Sequence, residues 1–284
     1  MKDAVAVVAS RVRFEEKLLF EALEAREIPH VLVDPRTLHV ALDGAAPPWE
    51  TALVREIGAT RALYAALALE SLGVRAVNGS EAIRICGDKW KTALALREAG
   101  LPAPRTMLAL GPEAVPVAAE ELGYPVVLKP LNGSWGRRVV LLRDPEEASA
   151  VLEYCAALPA PQAQILCVQE PIDKPGRDVR AIVVGGETLG ATYRLAAADG
   201  WRTNVALGAD SLPCPPDDDV TALAAAAAQA TGAEIAGVDL LEGRDGELYV
   251  LEVNAGVEFR GFASACDVDV AGPIVDYVTA RVGV

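Results

Sequence analysis

The segment Val250-Leu251-Glu252-Val253-Asn254 sets a carboxylate and an amide two residues apart in a run otherwise made of Val and Leu. Side chains alternate faces along a strand, so Glu252 and Asn254 point the same way. Upstream, Gly237-Val238-Asp239-Leu240-Leu241 carries a second acid in an apolar run. Arg244-Asp245-Gly246-Glu247 lies between the two, as the turn of a hairpin requires. Pairing of the runs brings Asp239 beside Glu252. Two unit charges about 4 Å apart repel by roughly 4 kcal/mol at an effective dielectric near 20. A hard cation removes that cost, because carboxylate and amide oxygens are ligands that Mg²⁺ takes. The same segment also reads as a hairpin with its polar face in water.

Cationic residues supply the other half of the chemistry. Lys89 opens a helix that Asp88 caps, where a lysine and a helix N-terminus can share a phosphate; it also reads as an exposed lysine. Lys129 ends the apolar run Pro125-Val126-Val127-Leu128, so its ammonium must meet an anion or reach water. The loop Asn132-Gly133-Ser134-Trp135-Gly136-Arg137 follows, small enough for backbone N–H groups to approach phosphate oxygens. It lacks the GK[ST] ending of a Walker A loop and also reads as a plain hairpin turn. Gln169-Glu170-Pro171-Ile172 runs from a strand into an extended connection, whose backbone could face an adenine edge or simply join two units. Asp178 and Arg180 share a face of the next strand, and Arg194 and Asn204 lie further on. An arginine pair suits phosphoryl or carboxylate oxygens, which a guanidinium grips as a fork. Surface salt bridging is the alternative.

Other chemistries are excluded. His30 and His39 are the only histidines, which leaves no Ser-His-Asp arrangement, and no GxGxxG follows the first strand. Cys86, Cys155, Cys167, Cys214 and Cys266 form no CxxC pair, so a zinc site is not expected and scattered thiols fit a reducing cytoplasm. The net charge of −14 argues against nucleic acid and anionic membranes as partners. The early apolar run Ala4 to Ala9 is too short for a signal peptide, and no run approaches a membrane span. A cytoplasmic location is expected.

The elements that must position these groups alternate at first. Short apolar runs at Ala4–Ser10, His30–Val33, Ala52–Val54 and Arg75–Val77 read as strands, with helices over Phe14–Arg26 and Arg61–Leu72. Such alternation predicts parallel βαβ packing. Past Gly87-Asp88, the pattern predicts a helix at Lys89–Ala99, strands at Val126–Leu128 and Val139–Leu142, a helix at Pro145–Ala157 and a strand at Ile165–Gln169. Strands then dominate at Val179–Val184, Thr188–Tyr193, Val238–Leu241 and Leu248–Val253, with one Ala-rich helix over Val220–Ala230. The fold class is α/β and α+β, in three units: 1–86, 87–169 and 170–284.

The order of the groups resembles the ATP-grasp carboxylate–amine ligases: a Lys, a second Lys before a Gly-containing loop, a strand-to-hinge Glu, then Asp-x-Arg, Arg, Asn, Asp and Glu-x-Asn. The likeness covers nearly the whole chain and is densest from Asn78 to Phe262. Cys86-Gly87-Asp88-Lys89-Trp90, Gly133-Ser134-Trp135-Gly136-Arg137 and Glu170 to Arg180 look most like the LysX branch, related to the RimK-type glutamate ligases. The resemblance implies an ATP-grasp fold behind an N-terminal βα pre-ATP-grasp domain. It implies ligation of the α-amino group of 2-aminoadipate, or a related amino acid, to the side-chain carboxyl of the C-terminal Glu of a small acidic amino-group carrier protein, through an acyl-phosphate. It assigns Lys89 and Lys129 to the α- and β-phosphates, and residues Ser134 to Arg137 to a loop closing over the triphosphate. Gln169, Glu170, Pro171 and Ile172 would frame the adenine, and Asp178 would lie near the ribose or its neighbours. Arg180, Arg194 and Asn204 would meet the γ-phosphate and acyl-phosphate, and Asp239, Glu252 and Asn254 would bind two Mg²⁺ ions. Arg55, Arg61 and Arg260 are candidates for the carboxylate of the amino-acid substrate. Relatives suggest a homo-oligomer, a dimer or tetramer. Two other readings stay open: RimK-like glutamate ligation to another protein terminus or a small molecule, and a nucleotide-binding regulatory protein without turnover.

Overall fold

The computed structural model describes residues 4–133, 138–196, 211–215, 217–244 and 246–280. Among these residues the strands form three sheets. The short N-terminal apolar runs become β1 (Val5–Val8), β2 (His30–Val33), β3 (Thr51–Val54) and β4 (Arg75–Val77). They lie parallel in the order β2-β1-β3-β4. The crossovers are α1 (Phe14–Ala25) and α2 (Ala59–Ser71), and α3 (Ser80–Cys86) follows β4.

The helix α4 (Lys89–Glu98) starts at Asp88, whose carboxylate accepts from Trp90 N at 3.0 Å and Lys91 N at 3.1 Å. A small antiparallel sheet follows, made of β5 (Thr106–Ala109), β6 (Val126–Pro130), β7 (Val140–Leu142) and β8 (Leu166–Gln169) in the order β5-β8-β6-β7. Beside it lie α5 (Val115–Leu122) and α6 (Pro145–Ala156). The sequence pattern did not reveal β5 or α5. Pro112 and Pro116 read as breakers, yet Pro116 sits in the first turn of α5, where a missing N–H costs nothing.

The third sheet contains β9 (Arg177–Val184), β10 (Glu187–Leu195), β11 (Ser211–Pro213), β12 (Ile235–Glu242) and β13 (Leu248–Asn254). Its strands are antiparallel in the order β11-β10-β9-β12-β13. Between β11 and β12 runs α7 (Asp218–Thr231), capped by Asp217 and stopped at Gly232, which takes φ 69°. The chain ends with α8 (Arg260–Cys266) and α9 (Ala271–Thr279).

The period of two in β9 divides the protein's labour. Val179, Ala181 and Val183 join Ala224, Ala227, Val238 and Leu240 in one core, under α7. Leu96 of α4 belongs to this core. Ile182 and Val184, on the opposite face, pack with Val5, Val7 and Leu53 of the parallel sheet and with Phe259 and Ile274. Asp178 and Arg180 continue that second face toward its open end. One face of one strand thus carries apolar contacts to the N-terminal unit and charged groups in the cleft.

Candidate functional site

The charged residues of the third sheet form a row across four strands. Arg194 on β10 pairs in register with Asp178 on β9. Arg180 on β9 pairs with Asp239 on β12, and Asp239 with Glu252 on β13. Gly237 stands opposite Asn254. The expected juxtaposition of Asp239 and Glu252 is therefore present, with one addition. A β-bulge lies between Asp239 and Leu240, because Leu240 pairs with Val250 and leaves Leu251 as the extra residue. The bulge lets Val250 and Val253 both reach the core under α7 while Glu252 and Asn254 stay on the cleft face.

Ion pairs hold the row. Arg194 donates from Nε to Asp178 Oδ1 at 2.7 Å and from Nη2 to Asp178 Oδ2 at 3.0 Å. Its Nη2 also lies 3.0 Å from Asp239 Oδ1. Arg180 Nε lies 2.7 Å from the same oxygen, and its Nη2 donates to Asp239 Oδ2 at 3.3 Å. Asp239 Oδ1 is buried and, although two guanidinium nitrogens approach it, none is aligned to donate a hydrogen bond. Burial works against the charge on Arg194, but Asp239 and Asp178 outweigh it and hold the guanidinium above its ordinary pKa. For Arg180 burial wins and the pKa falls, with Asp239 pulling the other way.

Two lysines face this row from other elements. Lys89 Nζ lies 3.5 Å from Glu252 Oε1 and donates to Gly133 O at 3.0 Å. Lys129, on β6, donates to Gln169 Oε1 on the neighbouring β8. Desolvation pulls the Lys129 ammonium down to about 8, against the attraction of Glu252. Gln169 donates in turn to Thr106 Oγ1 at 2.8 Å, so both ends of its amide are used. Glu170 is fixed to the backbone of Arg105, accepting from Arg105 N at 2.7 Å. Pro171 and Ile172 follow in the connection to β9. Of the expected phosphate loop, Gly133 is described, with φ 143°. Ser134, Trp135, Gly136, Arg137 and Asn204 lie outside the described residues.

The other expected site residues sit as follows. Asp178, expected near the ribose or its neighbours, is 2% exposed and has both oxygens on Arg194. Arg55, expected to face a substrate carboxylate, is buried against Glu16, with Nε donating to Oε1 at 3.0 Å. Arg61 is half exposed and paired with Glu56 at 3.1 Å. Arg260 is exposed at the start of α8, its guanidinium 5.3 Å from the Phe14 ring centroid.

Sequence reasoning passed over two residues at the site. A Cβ on Gly237 would strike the Arg180 guanidinium and lie 2.8 Å from Val257 Cγ2. A glycine inside a buried strand was the available signal. Lys174 Nζ lies 4.0 Å from Asp178 Oδ2, a third cation at this end of the row.

Two carboxylates and an amide, Asp239, Glu252 and Asn254, are the candidate cation-binding set. Among the described residues no three acidic, cysteine or histidine side chains converge as a metal site. The fit rests on Asp239 Oδ1, a buried carboxylate oxygen that lacks a hydrogen-bond donor and matches the oxygen preference of Mg²⁺.

Acids interleaved with arginines and faced by lysines suit the handling of a phosphoryl group beside a carboxylate, and comparison with known proteins places this geometry in the ATP-grasp class. Residues 86–278 match the RimK-like ATP-grasp domain, and residues 5–85 the LysX pre-ATP-grasp domain. The glutamate–LysW ligase ArgX of Sulfolobus acidocaldarius is 35% identical over 274 residues, 96% of this chain and 97% of its own. The α-aminoadipate–LysW ligase LysX of Saccharolobus solfataricus is 33% identical over 206 residues, 72% of this chain and 74% of its own. The crystal structure of an ATP-grasp RimK domain protein from Sphaerobacter thermophilus superposes with a TM-score of 0.78 at 33% identity, covering 97% of this chain and 99% of that one. The chain belongs to the RimK-like ATP-grasp family and is an ATP-dependent carboxylate–amine ligase. Members of this family use ATP and Mg²⁺.

Proposed function

We propose that the enzyme joins the α-amino group of an acidic amino acid, glutamate or 2-aminoadipate, to the side-chain carboxyl of the C-terminal Glu of a small acidic amino-group carrier protein. The observation that carries the chemistry is the row Arg194–Asp178–Arg180–Asp239–Glu252 with Lys89 and Lys129 facing it. The choice of carrier rests on relatives matched over 91–97% of their own length and named as ligases of the carrier LysW.

In this reading Lys89 and Lys129 bind the α- and β-phosphates of ATP, and Arg180 and Arg194 bind the γ-phosphate. Asp239, Glu252 and Asn254 would hold Mg²⁺, which when bound offsets phosphate charge. The amide nitrogen of Asn254 donates to Gly237 O at 3.3 Å, which turns the amide oxygen to that task. The carrier carboxylate attacks the γ-phosphorus, ADP leaves, and an acyl-phosphate forms. The amine then attacks the acyl carbon, phosphate leaves, and the amine loses a proton. Arginines that already stand where charge develops need no reorganisation during transfer, and this is where most phosphoryl-transfer catalysis resides. Asp178 keeps Arg194 oriented throughout.

The test is intact-mass measurement of a Glu-ended carrier after incubation with enzyme, ATP, Mg²⁺ and either amino acid. A mass gain of one amino-acid residue, matched by ADP release, is the expected result. Phosphate release that is independent of the carrier would sink the proposal.

A further inference from the structure

The segment Ala255–Phe259 joins Asn254, the last residue of β13, to α8. Residues of the N-terminal unit grip it along its length. Asn78, buried just past β4, donates from Nδ2 to Ala255 O and to Ile235 O, and its Oδ1 accepts from Glu234 N at 2.7 Å and Ile235 N at 2.9 Å. Arg13 Nη1 donates to Glu258 Oε1 at 2.8 Å. The Arg55 guanidinium lies 5.9 Å from the Phe259 ring centroid. Glu15 Oε1 accepts from Arg260 N at 3.3 Å.

Glu16 is the hub of this arrangement. It is fully buried, and its Oε1 accepts from Arg55 Nε at 3.0 Å and Arg13 Nη2 at 2.9 Å. Its Oε2 accepts from the backbone N and Nε of Arg13, each at 2.9 Å. Burial opposes its charge, yet the Arg13 hydrogen bonds and Arg55 hold its carboxyl below the usual range. Arg55 Nη2 is buried without a hydrogen-bond partner. A buried ion pair adds little over well-packed apolar residues, but it fixes orientation.

The place of the cluster gives it a purpose. In the order β2-β1-β3-β4, the chain leaves β1 toward β2 on one side and leaves its neighbour β3 toward β4 on the other. Open parallel sheets bind ligands outside the carboxyl ends of their strands at such a switch point. Arg13 follows β1 and Arg55 follows β3, so both sit on that rim. The segment Ala255–Phe259 therefore spans from the charged row to the switch-point crevice.

We infer that Glu16, Arg13, Arg55 and Asn78 are positioning residues that set this segment as a wall of the site for the amine substrate. The inference rests on the ligase reading above. It accounts for the burial of Arg55 against Glu16: in this reading Arg55 holds the wall and does not touch the substrate.

The test uses Glu258→Gln, which loosens the exposed end of the cluster, and Glu16→Gln, which removes the hub. Both are measured by hydrogen exchange at residues 255–260 and by steady-state kinetics. In each, exchange should quicken and the KM for the amine should rise by about 10-fold or more, with the KM for ATP within about twofold of wild type. Should Glu16→Gln fail to fold, Glu258→Gln decides alone. Unchanged exchange in that variant overturns the inference, and so does faster exchange with an unchanged amine KM. A wild-type enzyme that ligates no amine to any carboxylate would refute the functional reading instead, so the two failures are distinct.

Discussion

Glu252→Gln should move two measurements in opposite directions. The carboxylate lies 3.5 Å from Lys89 Nζ, with side-chain exposures of 27% and 18%. At an effective dielectric near 20, charges about 3.5 Å apart attract by roughly 5 kcal/mol. Partial exposure and side-chain entropy reduce the net value to about 1 kcal/mol. Before nucleotide arrives, that energy binds Lys89 to Glu252 and away from phosphate. Removing the charge frees the lysine and removes a repulsion on the triphosphate. Binding of ATP in the presence of a chelator should tighten by about fivefold. On the proposed reading the same substitution also removes an anionic ligand of Mg²⁺, an ion that would supply several kcal/mol to the transition state, so turnover with Mg²⁺ should fall by about 100-fold or more. The assays are isothermal titration of ATP with and without chelator, and ADP release coupled to carrier and amino acid. Titration at or below neutral pH keeps Lys129 charged, since its pKa is about 8. A structural role for Glu252 would weaken both measurements together. That result, or full activity, would refute the reasoning.

Lys129 titrates near 8 in place of 10.5 because burial penalises its charge. Between those values the unfolded chain binds more protons than the folded one, so stability of the ligand-free protein should rise with pH across that window. Affinity for ATP should fall over the same window, since a neutral amine cannot pair with phosphate; pH-resolved urea midpoints and binding titrations check the two signs. Asn78→Ala leaves backbone groups of Glu234, Ile235 and Ala255 without partners and should cost about 3 kcal/mol in chemical denaturation. Gly237→Ala pushes a methyl into Arg180 and Val257. It should lower kcat by about 10-fold or more while costing about 1–3 kcal/mol of stability, and an unchanged kcat would place Arg180 outside the reaction.

What the sequence disclosed followed from local rules. The four N-terminal strands are short apolar runs, with a helix between β1 and β2 and another between β3 and β4, and that alternation was enough to imply a parallel sheet though not the order of its strands. Asp239 and Glu252 could be paired because a turn lies between two runs of period two. The bulge at Leu251 was not legible, because a one-residue slip in register leaves the same composition on the page. Helix α9 was missed because Gly272-Pro273 reads as a break, although both fall in its first turn. Arg55 shows the same limit in charge. Its partner Glu16 lies 39 residues away, so a buried ion pair and a free guanidinium look identical in sequence. Arg194 was read as either a phosphate ligand or half of a salt bridge. In the structure it is paired with Asp178 and Asp239, and such pairing is compatible with the proposed role at phosphate.

The two acids beside Arg194 are not equivalent, and the difference shows how one row can serve both states. Asp178 has both oxygens on one guanidinium in a buried bidentate fork, an arrangement that is costly to open. Asp239 is divided between two arginines and leaves Oδ1 without an aligned donor. Its ion pairs are the ones that can be exchanged. A cation at Asp239 and a phosphoryl group at Arg180 and Arg194 would replace carboxylate–arginine contacts with contacts of the same sign, while Asp178 keeps Arg194 in place. Asp239→Asn and Asp178→Asn should therefore fail differently. Asp239→Asn should lose Mg²⁺-dependent turnover and, because Asp239 is itself buried between two arginines, should also cost about 3 kcal/mol of stability. Asp178→Asn should lose stability first, by about 3 kcal/mol or more, because it breaks a buried pair. Its residual activity should retain the wild-type dependence on Mg²⁺ concentration. The same shift in Mg²⁺ dependence in both variants would erase the distinction and make Asp178 part of the cation site.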